Sequence, residues 1–99
     1  MVEASSAADL NAEFELYVAY LQERREEVKK NQPREVGLSL YAHAKQGKIG
    51  DCNEPKPGFL DIAGKMKHSA WTAIKGMDQD AAKKKFLEIA KGIFGEIAP

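Results

Sequence analysis

An aromatic side chain and several lysines in residues 41–71 could together bind a flat, negatively charged ligand. Tyr41 and Lys45 are four residues apart, so on a helix they share one face. Lys65 and Lys67 follow a loop rich in glycine and proline. If that loop folds back, the tyrosine ring can stack on a base while ammonium groups contact a phosphate. Such a site requires helices that bring these side chains together.

The sequence contains no recognisable catalytic or metal-binding pattern. Cys52, His43 and His68 are the only cysteine and histidines, and their spacing matches neither a zinc motif nor a cysteine–histidine nucleophile pair. Residues 47–50 (GKIG) lack the spacing of a phosphate-binding Walker loop. We predict that the protein is not an enzyme and has no catalytic residues, no metal and no cofactor.

Composition and charge predict one small helical domain with a local basic surface. The chain has 99 residues, of which 30% are charged, and its formal net charge is zero. Residues 1–40 carry eight acids and five bases, whereas residues 41–91 carry ten lysines and six acids. The balanced total argues against nucleic-acid binding. The basic second part still suits a small anionic ligand.

The cysteine count and the apolar segments bear on the cellular location. Cys52 is the only cysteine, which excludes a disulfide within the chain and favours a reducing compartment. The N-terminal residues have no basic region followed by an apolar run, so they do not resemble a secretory signal. No apolar segment approaches the roughly 20 residues that cross a bilayer. We expect a cytoplasmic protein without an integral membrane span.

Apolar residues recur at helical spacing in four segments, and no segment alternates as a strand does. Four helices with apolar faces pack most simply as an all-α four-helix bundle. Residues 1–6 are predicted to be a disordered N-terminus and residues 7–99 a single domain. The predicted bounds are Ala7 to Lys30 for the first helix, Pro33 to Gly47 or Gly50 for the second, Asp61 to Gly76 for the third, and from Asp78 onward for the fourth.

The same segments resemble the acyl-CoA-binding protein family. The family pattern reads approximately Tyr-x-x-Tyr-Lys-Gln, a loop with glycine, Pro-Gly-x-x-Asp-x-x-Gly-Lys-x-Lys-Trp-x-Ala-Trp, and Lys-Gly. The likeness extends over about residues 14–93. Within the pattern, this sequence matches in register at Tyr41, Lys45, Gln46, Gly50, Pro57, Gly58, Asp61, Gly64, Lys65, Lys67, Ala70, Trp71, Lys75 and Gly76.

The resemblance implies an up-down-down-up bundle in which residues 7–99 form one acyl-CoA-binding domain. It implies a non-catalytic intracellular carrier and pool former that binds medium- to long-chain fatty acyl-CoA esters and takes part in their transport. The ligand is then the acyl-CoA itself. The protein is expected to be a monomer, and acyl-CoA-using enzymes are its possible partners.

The resemblance also assigns roles to individual residues. Tyr41 would stack on the adenine, and Lys45 and Lys67 would bind the ribose 3′-phosphate and neighbouring phosphates. The acyl chain would lie against apolar side chains between helices, among them Leu38, Leu40 and Met66. Each buried methylene contributes about 0.8 kcal/mol, so affinity should rise with chain length until the groove is filled.

Four positions that we expect to adjoin the ligand depart from the family pattern. Ala44 replaces the second tyrosine, Phe86 replaces a tyrosine of the last helix, His68 replaces a tryptophan, and Ala63 stands where a lysine is frequent. These departures leave a second hypothesis open, a helical interaction module that has weakened ligand binding and contacts a protein or a membrane surface. A third, hydrolysis of the thioester, lacks a visible nucleophile–base pair.

Overall fold

Five α-helices and no strand make up residues 7–97, the part of the chain that this computed structural model describes. The expected all-α bundle is confirmed. In it, α3 packs between α4 and α5, and α1 packs against α5. The disorder predicted for residues 1–6 lies outside the described residues, as do the last two residues of the predicted domain. The helices are α1 (Ala7–Glu23), α2 (Arg25–Asn31), α3 (Arg34–Ile49), α4 (Ile62–Ala73) and α5 (Gln79–Phe94).

The first predicted helix is divided in two at Arg24, so the prediction of one continuous helix from Ala7 to Lys30 was wrong. Arg24 leaves helical geometry, with φ −115° and ψ 21°. Its guanidinium donates to the Tyr20 carbonyl oxygen at 3.2 Å and lies 3.5 Å from the centre of the Tyr20 ring. The change of direction lets Val28 of α2 join the core, where it is buried.

The core lies between α1, α3 and α5. Phe14 and Phe86 meet edge to face with their ring centres 5.2 Å apart, and Leu40 is buried in the same cluster. Edge-to-face aromatic pairs are favourable beyond the apolar area that they bury. The Tyr17 hydroxyl donates to the Gly95 carbonyl oxygen at 2.8 Å and accepts from the Ile97 amide at 3.2 Å. These two bonds attach the segment after α5 to α1.

Side-chain caps begin α4 and α5 where the sequence predicts them. The carboxylate of Asp61 accepts from the Gly64 amide at 2.9 Å, and that of Asp78 accepts from the Ala81 amide at 3.0 Å. Such caps satisfy amides that have no partner within the helix. None of the helices in residues 7–97 is long and apolar enough to cross a membrane.

Of the two glycines expected to end the second helix, Gly50 does so and Gly47 does not, since α3 continues to Ile49. Gly47 is buried where α3 crosses α5. A Cβ atom at this position would lie 2.8 Å from Lys83 Cγ and 3.2 Å from Phe14 Cζ. Glycine is therefore needed here for close helix packing, not for helix termination. The termination falls at Gly50, whose φ of +100° favours glycine.

Candidate ligand-binding site

Helices α3 and α4 bring Tyr41, Lys45 and Lys67 together. The Lys67 Nζ atom lies 5.4 Å from the centre of the Tyr41 ring, and the Lys45 Nζ atom lies 5.9 Å from the same centre. Both distances are within the range of a cation–π contact. The half-buried Tyr41 ring is thus accompanied by two positive charges from different helices. The roles of these residues toward a ligand stay a prediction.

The side chain of Lys45 also lies against the ring of Trp71 in α4. The indole is completely buried, and the Lys45 Nζ atom lies 5.1 Å from the ring centre. Lys45 therefore contacts two aromatic rings, Trp71 and Tyr41, and most of its side chain is shielded from solvent. An ammonium group near two ring faces keeps its positive charge in a defined place.

The buried amide of Gln46 connects α3 to three other segments. Its Nε2 atom donates to Asp51 Oδ1 and to the Met77 carbonyl oxygen, each at 2.9 Å. Its Oε1 atom accepts from Trp71 Nε1 at 3.1 Å. Because Gln46 is only 1% exposed, these bonds satisfy an amide that would otherwise be costly to bury. They hold the segment after α3, helix α4 and the turn before α5 in one arrangement.

Asp51 anchors the start of the loop between α3 and α4. Its Oδ1 atom accepts from the Gly76 amide at 2.7 Å as well as from Gln46. The hydrogen bond from the Gly76 amide is the main reason that the pKa of the Asp51 carboxyl lies below its ordinary value of 3.8, and the bond from Gln46 lowers it further. Hydrogen bonds to a carboxylate favour its charged form.

Glu54, in the same loop, reaches the cluster of Tyr41 and the two lysines. Its Oε2 atom lies 3.4 Å from Lys45 Nζ, and its carbonyl oxygen accepts a hydrogen bond from His68 Nε2 at 3.0 Å. Burial raises the pKa of the Tyr41 hydroxyl above 10.0, Lys45 opposes this, and Glu54 adds to it. The phenol is therefore uncharged near neutral pH.

An open apolar groove of about 530 Å³ lies between α3 and α4. Leu38 precedes Tyr41 by three residues, so both lie on the same side of α3. Ile62, which lines the groove, is 66% exposed, and Phe59 and Leu60, which precede it in the chain, are 77% and 82% exposed. The groove is lined by Leu38, Ile62, Lys65, Met66, Ser69 and Ala70.

The other expected site residues lie in different surroundings. Ala63 is exposed on α4, and Ala44 packs against the core. Phe86 is 0% exposed and packs against Phe14, and Leu40 is equally enclosed. Phe86 and Leu40 thus offer no surface beside Tyr41 in this arrangement. His68 does not point a free ring at the two lysines, since its Nε2 atom is engaged by Glu54.

Sequence reasoning did not anticipate Glu54, Ile62 or Ser69. Glu54 sits in a loop whose path depends on the Gln46 and Asp51 bonds, so local sequence carried no signal for its pairing with Lys45. Lys65 was recognised as a nearby cation but not as a groove residue. Ile62 precedes Met66 by one helical turn in the periodic apolar stripe of α4, which could have revealed it.

The helical bundle holds the Tyr41 ring, Lys45 and Lys67 near an apolar groove. This combination suits a ligand that has both an anionic and an apolar part. Comparison of the sequence with known families places the protein more narrowly. The chain belongs to the acyl-CoA-binding protein family, because the family model described as Acyl CoA binding protein matches residues 11–90.

Individual relatives agree with this membership. The chain is 39% identical over 61 residues to the acyl-CoA-binding protein homolog of Drosophila melanogaster, covering 62% of this chain and 71% of that protein. It is 43% identical over 58 residues to acyl-CoA-binding domain-containing protein 6 of Bos taurus, 59% of this chain and 21% of that protein. It is 38% identical over 66 residues to human enoyl-CoA delta isomerase 2, 67% of this chain and 17% of that protein. The chain thus spans about a fifth of these last two proteins.

Proposed function

We propose that the protein binds medium- to long-chain fatty acyl-CoA esters as a non-catalytic carrier and pool former in the cytoplasm. The observation that carries the proposal is the meeting of Tyr41, Lys45 and Lys67 next to the apolar groove of α3 and α4. An acyl-CoA has a base, phosphates and a hydrocarbon tail, and each part has a matching surface in this region.

The nucleotide end of the ligand is assigned to the cluster of Tyr41 and the two lysines. An adenine stacked on the Tyr41 ring contributes about 1–3 kcal/mol. The ribose phosphate lies between Lys45 and Lys67, where charge-assisted hydrogen bonds are stronger than neutral ones.

The acyl chain is assigned to the groove. Leu38, Ile62 and Met66 supply apolar walls, and the exposed Phe59 and Leu60 continue the apolar surface beyond them. A methylene removed from water contributes about 0.8 kcal/mol. Affinity should therefore increase with chain length and then level off once the groove is occupied.

The surroundings of the histidines support binding without catalysis. His43 Nδ1 donates to the Ser39 carbonyl oxygen at 2.7 Å, so this nitrogen carries a proton and is not a base for the Ser39 hydroxyl 3.3 Å away. His68 uses Nε2 to bond the Glu54 carbonyl oxygen. A nucleophile needs a base within hydrogen-bond reach, and in residues 7–97 the one hydroxyl or thiol bonded to either ring is that of Ser39, which faces the protonated nitrogen of His43.

Isothermal titration calorimetry with acyl-CoA esters from C8 to C20 tests the proposal. We expect saturable binding that strengthens with chain length and is weakened by competing free CoA. Absence of binding with every ester at tens of micromolar protein would refute it. Incubation with the same esters should release no CoA, and release above the rate in buffer would contradict the non-catalytic role.

A second candidate function, docking to a membrane or protein surface without acyl-CoA, is favoured by the exposed side chains of Phe59, Leu60 and Ile62. A contiguous exposed apolar patch commonly marks a protein or membrane interaction site. Co-sedimentation with anionic vesicles that contain no acyl-CoA discriminates between the candidates. Strong sedimentation together with no calorimetric response to acyl-CoA would favour the second candidate.

A further inference from the structure

We propose that Glu54 is an internal competitor for the ligand's phosphate and thereby sets the affinity of the site for anions. The inference rests on the proposed function, since it concerns the phosphate of the acyl-CoA. It depends on the ion pair between the Glu54 carboxylate and Lys45, one of the two lysines near the Tyr41 ring.

The competing group already occupies Lys45 in the free protein. The Glu54 Oε2 atom lies 3.4 Å from Lys45 Nζ, in the ion-pair range. Lys67, the other cation near the Tyr41 ring, forms no ion pair within residues 7–97. One of the two proposed phosphate ligands is therefore neutralised before the ligand arrives, and the other is not.

The loop backbone holds Glu54 in place while leaving its carboxylate able to move. His68 Nε2 bonds the Glu54 carbonyl oxygen at 3.0 Å, and Asp51 fixes the loop start through Gln46 and Gly76. The side chain of Glu54 is half exposed. It can swing from Lys45 into water by rotation about its own bonds, without breaking any of those backbone contacts.

The charges decide which ligands displace the carboxylate. A phosphate monoester carries about −1.5 to −2 at pH 7, more than the single charge of Glu54, and so binds Lys45 more strongly. A ligand with one carboxylate, such as a free fatty acid, would only exchange one monoanion for another. After displacement Glu54 stays near the phosphate and repels it. The pair with Lys45 thus lowers the affinity of the site for anionic ligands, because each must displace Glu54 and is then repelled by it.

The test compares wild-type protein with Glu54→Gln by calorimetry with palmitoyl-CoA at low and high salt. Glutamine keeps the side-chain shape and the backbone bond from His68. We expect a two- to fivefold lower Kd for E54Q at low salt, about the strength of an exposed ion pair, and a smaller difference at high salt. We also expect the relative gain for palmitoyl-CoA to be at least as large as that for palmitate, because the remaining Glu54 charge repels a phosphate more than a single carboxylate. Glu88→Gln, which removes a similar ion pair with Lys85 on α5, should leave both affinities unchanged.

A double-mutant cycle shows whether Glu54 acts through Lys45. In a Lys45→Met background, E54Q should change the Kd by less than it does in the wild type. An E54Q protein with unchanged or weaker binding, or an equal effect with and without Lys45, would overturn the inference. If the wild type binds acyl-CoA and E54Q is no tighter, only this inference fails. If neither protein binds any acyl-CoA, the proposed function fails with it.

Discussion

The indole Nε1 of Trp71 donates to the amide oxygen of Gln46 at 3.1 Å, and both side chains are buried. The same indole nitrogen also donates to the Gly50 carbonyl oxygen at 2.9 Å. Gln46 immediately follows Lys45 on α3, and Trp71 lies four residues after Lys67 on α4. This hydrogen bond therefore joins α3 to α4 close to the two lysines of the candidate site.

Gln46→Ala should lower the free energy of unfolding by about 2–3 kcal/mol. The change removes bonds to Trp71, Asp51 and Met77 and leaves the partly buried Met77 carbonyl oxygen without this donor. Urea denaturation measures the effect. The control is Gln79→Ala, which removes one longer bond to the Gly47 carbonyl oxygen from an exposed residue and should cost less than about 1 kcal/mol. Equal losses for the two variants would contradict the role of Gln46.

The lowered pKa of Asp51 predicts a loss of stability in acid. Since the folded pKa lies below the unfolded value of 3.8, the stabilisation is fully present above pH 3.8 and is lost as pH falls through the folded pKa. Melting temperatures of the wild type should therefore fall more steeply below pH 3.8 than those of Asp51→Asn, whose amide oxygen can still accept from Gly76. Parallel curves for the two proteins would refute the assignment.

Two glycines of α3 should respond to alanine in opposite directions. Gly47→Ala places a Cβ 2.8 Å from Lys83 Cγ and should destabilise the fold by about 1–3 kcal/mol through overpacking. Gly37→Ala meets nothing within 4 Å and should stabilise the helix by about 0.5–1 kcal/mol. Denaturation midpoints of both variants provide the measurement. A stabilised Gly47→Ala would mean that α3 and α5 are not in contact there.

Lys45→Met and Lys67→Met should each weaken palmitoyl-CoA binding by about 10- to 150-fold, the range for a hydrogen bond to a charged group. Methionine retains an apolar stem, so the fold should be preserved. The loss should be larger at low salt, because salt screens the attraction between ammonium and phosphate. Calorimetry measures it, with the exposed Lys84→Met on α5 as the charge-matched control. An equal loss in Lys84→Met would indicate a general effect of net charge.

Tyr41→Ala should weaken binding by about 1–3 kcal/mol because it removes the proposed stacking surface for adenine, whereas Tyr41→Phe should keep most of the affinity. The ring, rather than the hydroxyl, is the proposed contact. Titration of each variant with palmitoyl-CoA and with free CoA checks this. If Tyr41→Phe loses as much affinity as Tyr41→Ala, the hydroxyl and not the stacked ring is the binding group.

Local features of the sequence were sufficient for the helix starts and for part of the site. Asp61 and Asp78 cap their helices as expected, because a cap depends on a carboxylate and an amide three residues later. The meeting of Tyr41, Lys45 and Lys67 followed from the family pattern and from helical periodicity. These are relations between residues that are close in sequence or belong to a recognised motif.

Contacts between distant segments could not be predicted in this way. The break at Arg24 depends on the stacking against Tyr20 and on the burial of Val28, and the charged sequence around it favours a continuing helix. The pairing of Glu54 with Lys45 depends on a loop path that the buried Gln46 determines. In both cases tertiary packing overrides or completes what local propensity specifies.

The Tyr17 hydroxyl bonds both Gly95 and Ile97, so hydrogen exchange at the Ile97 amide depends on this contact. An amide that follows a helix and lacks a partner within it ordinarily exchanges its hydrogen with solvent quickly. The Ile97 amide is instead bonded to a side chain of α1. Its exchange with deuterium therefore measures how often the segment after α5 detaches from Tyr17 of α1.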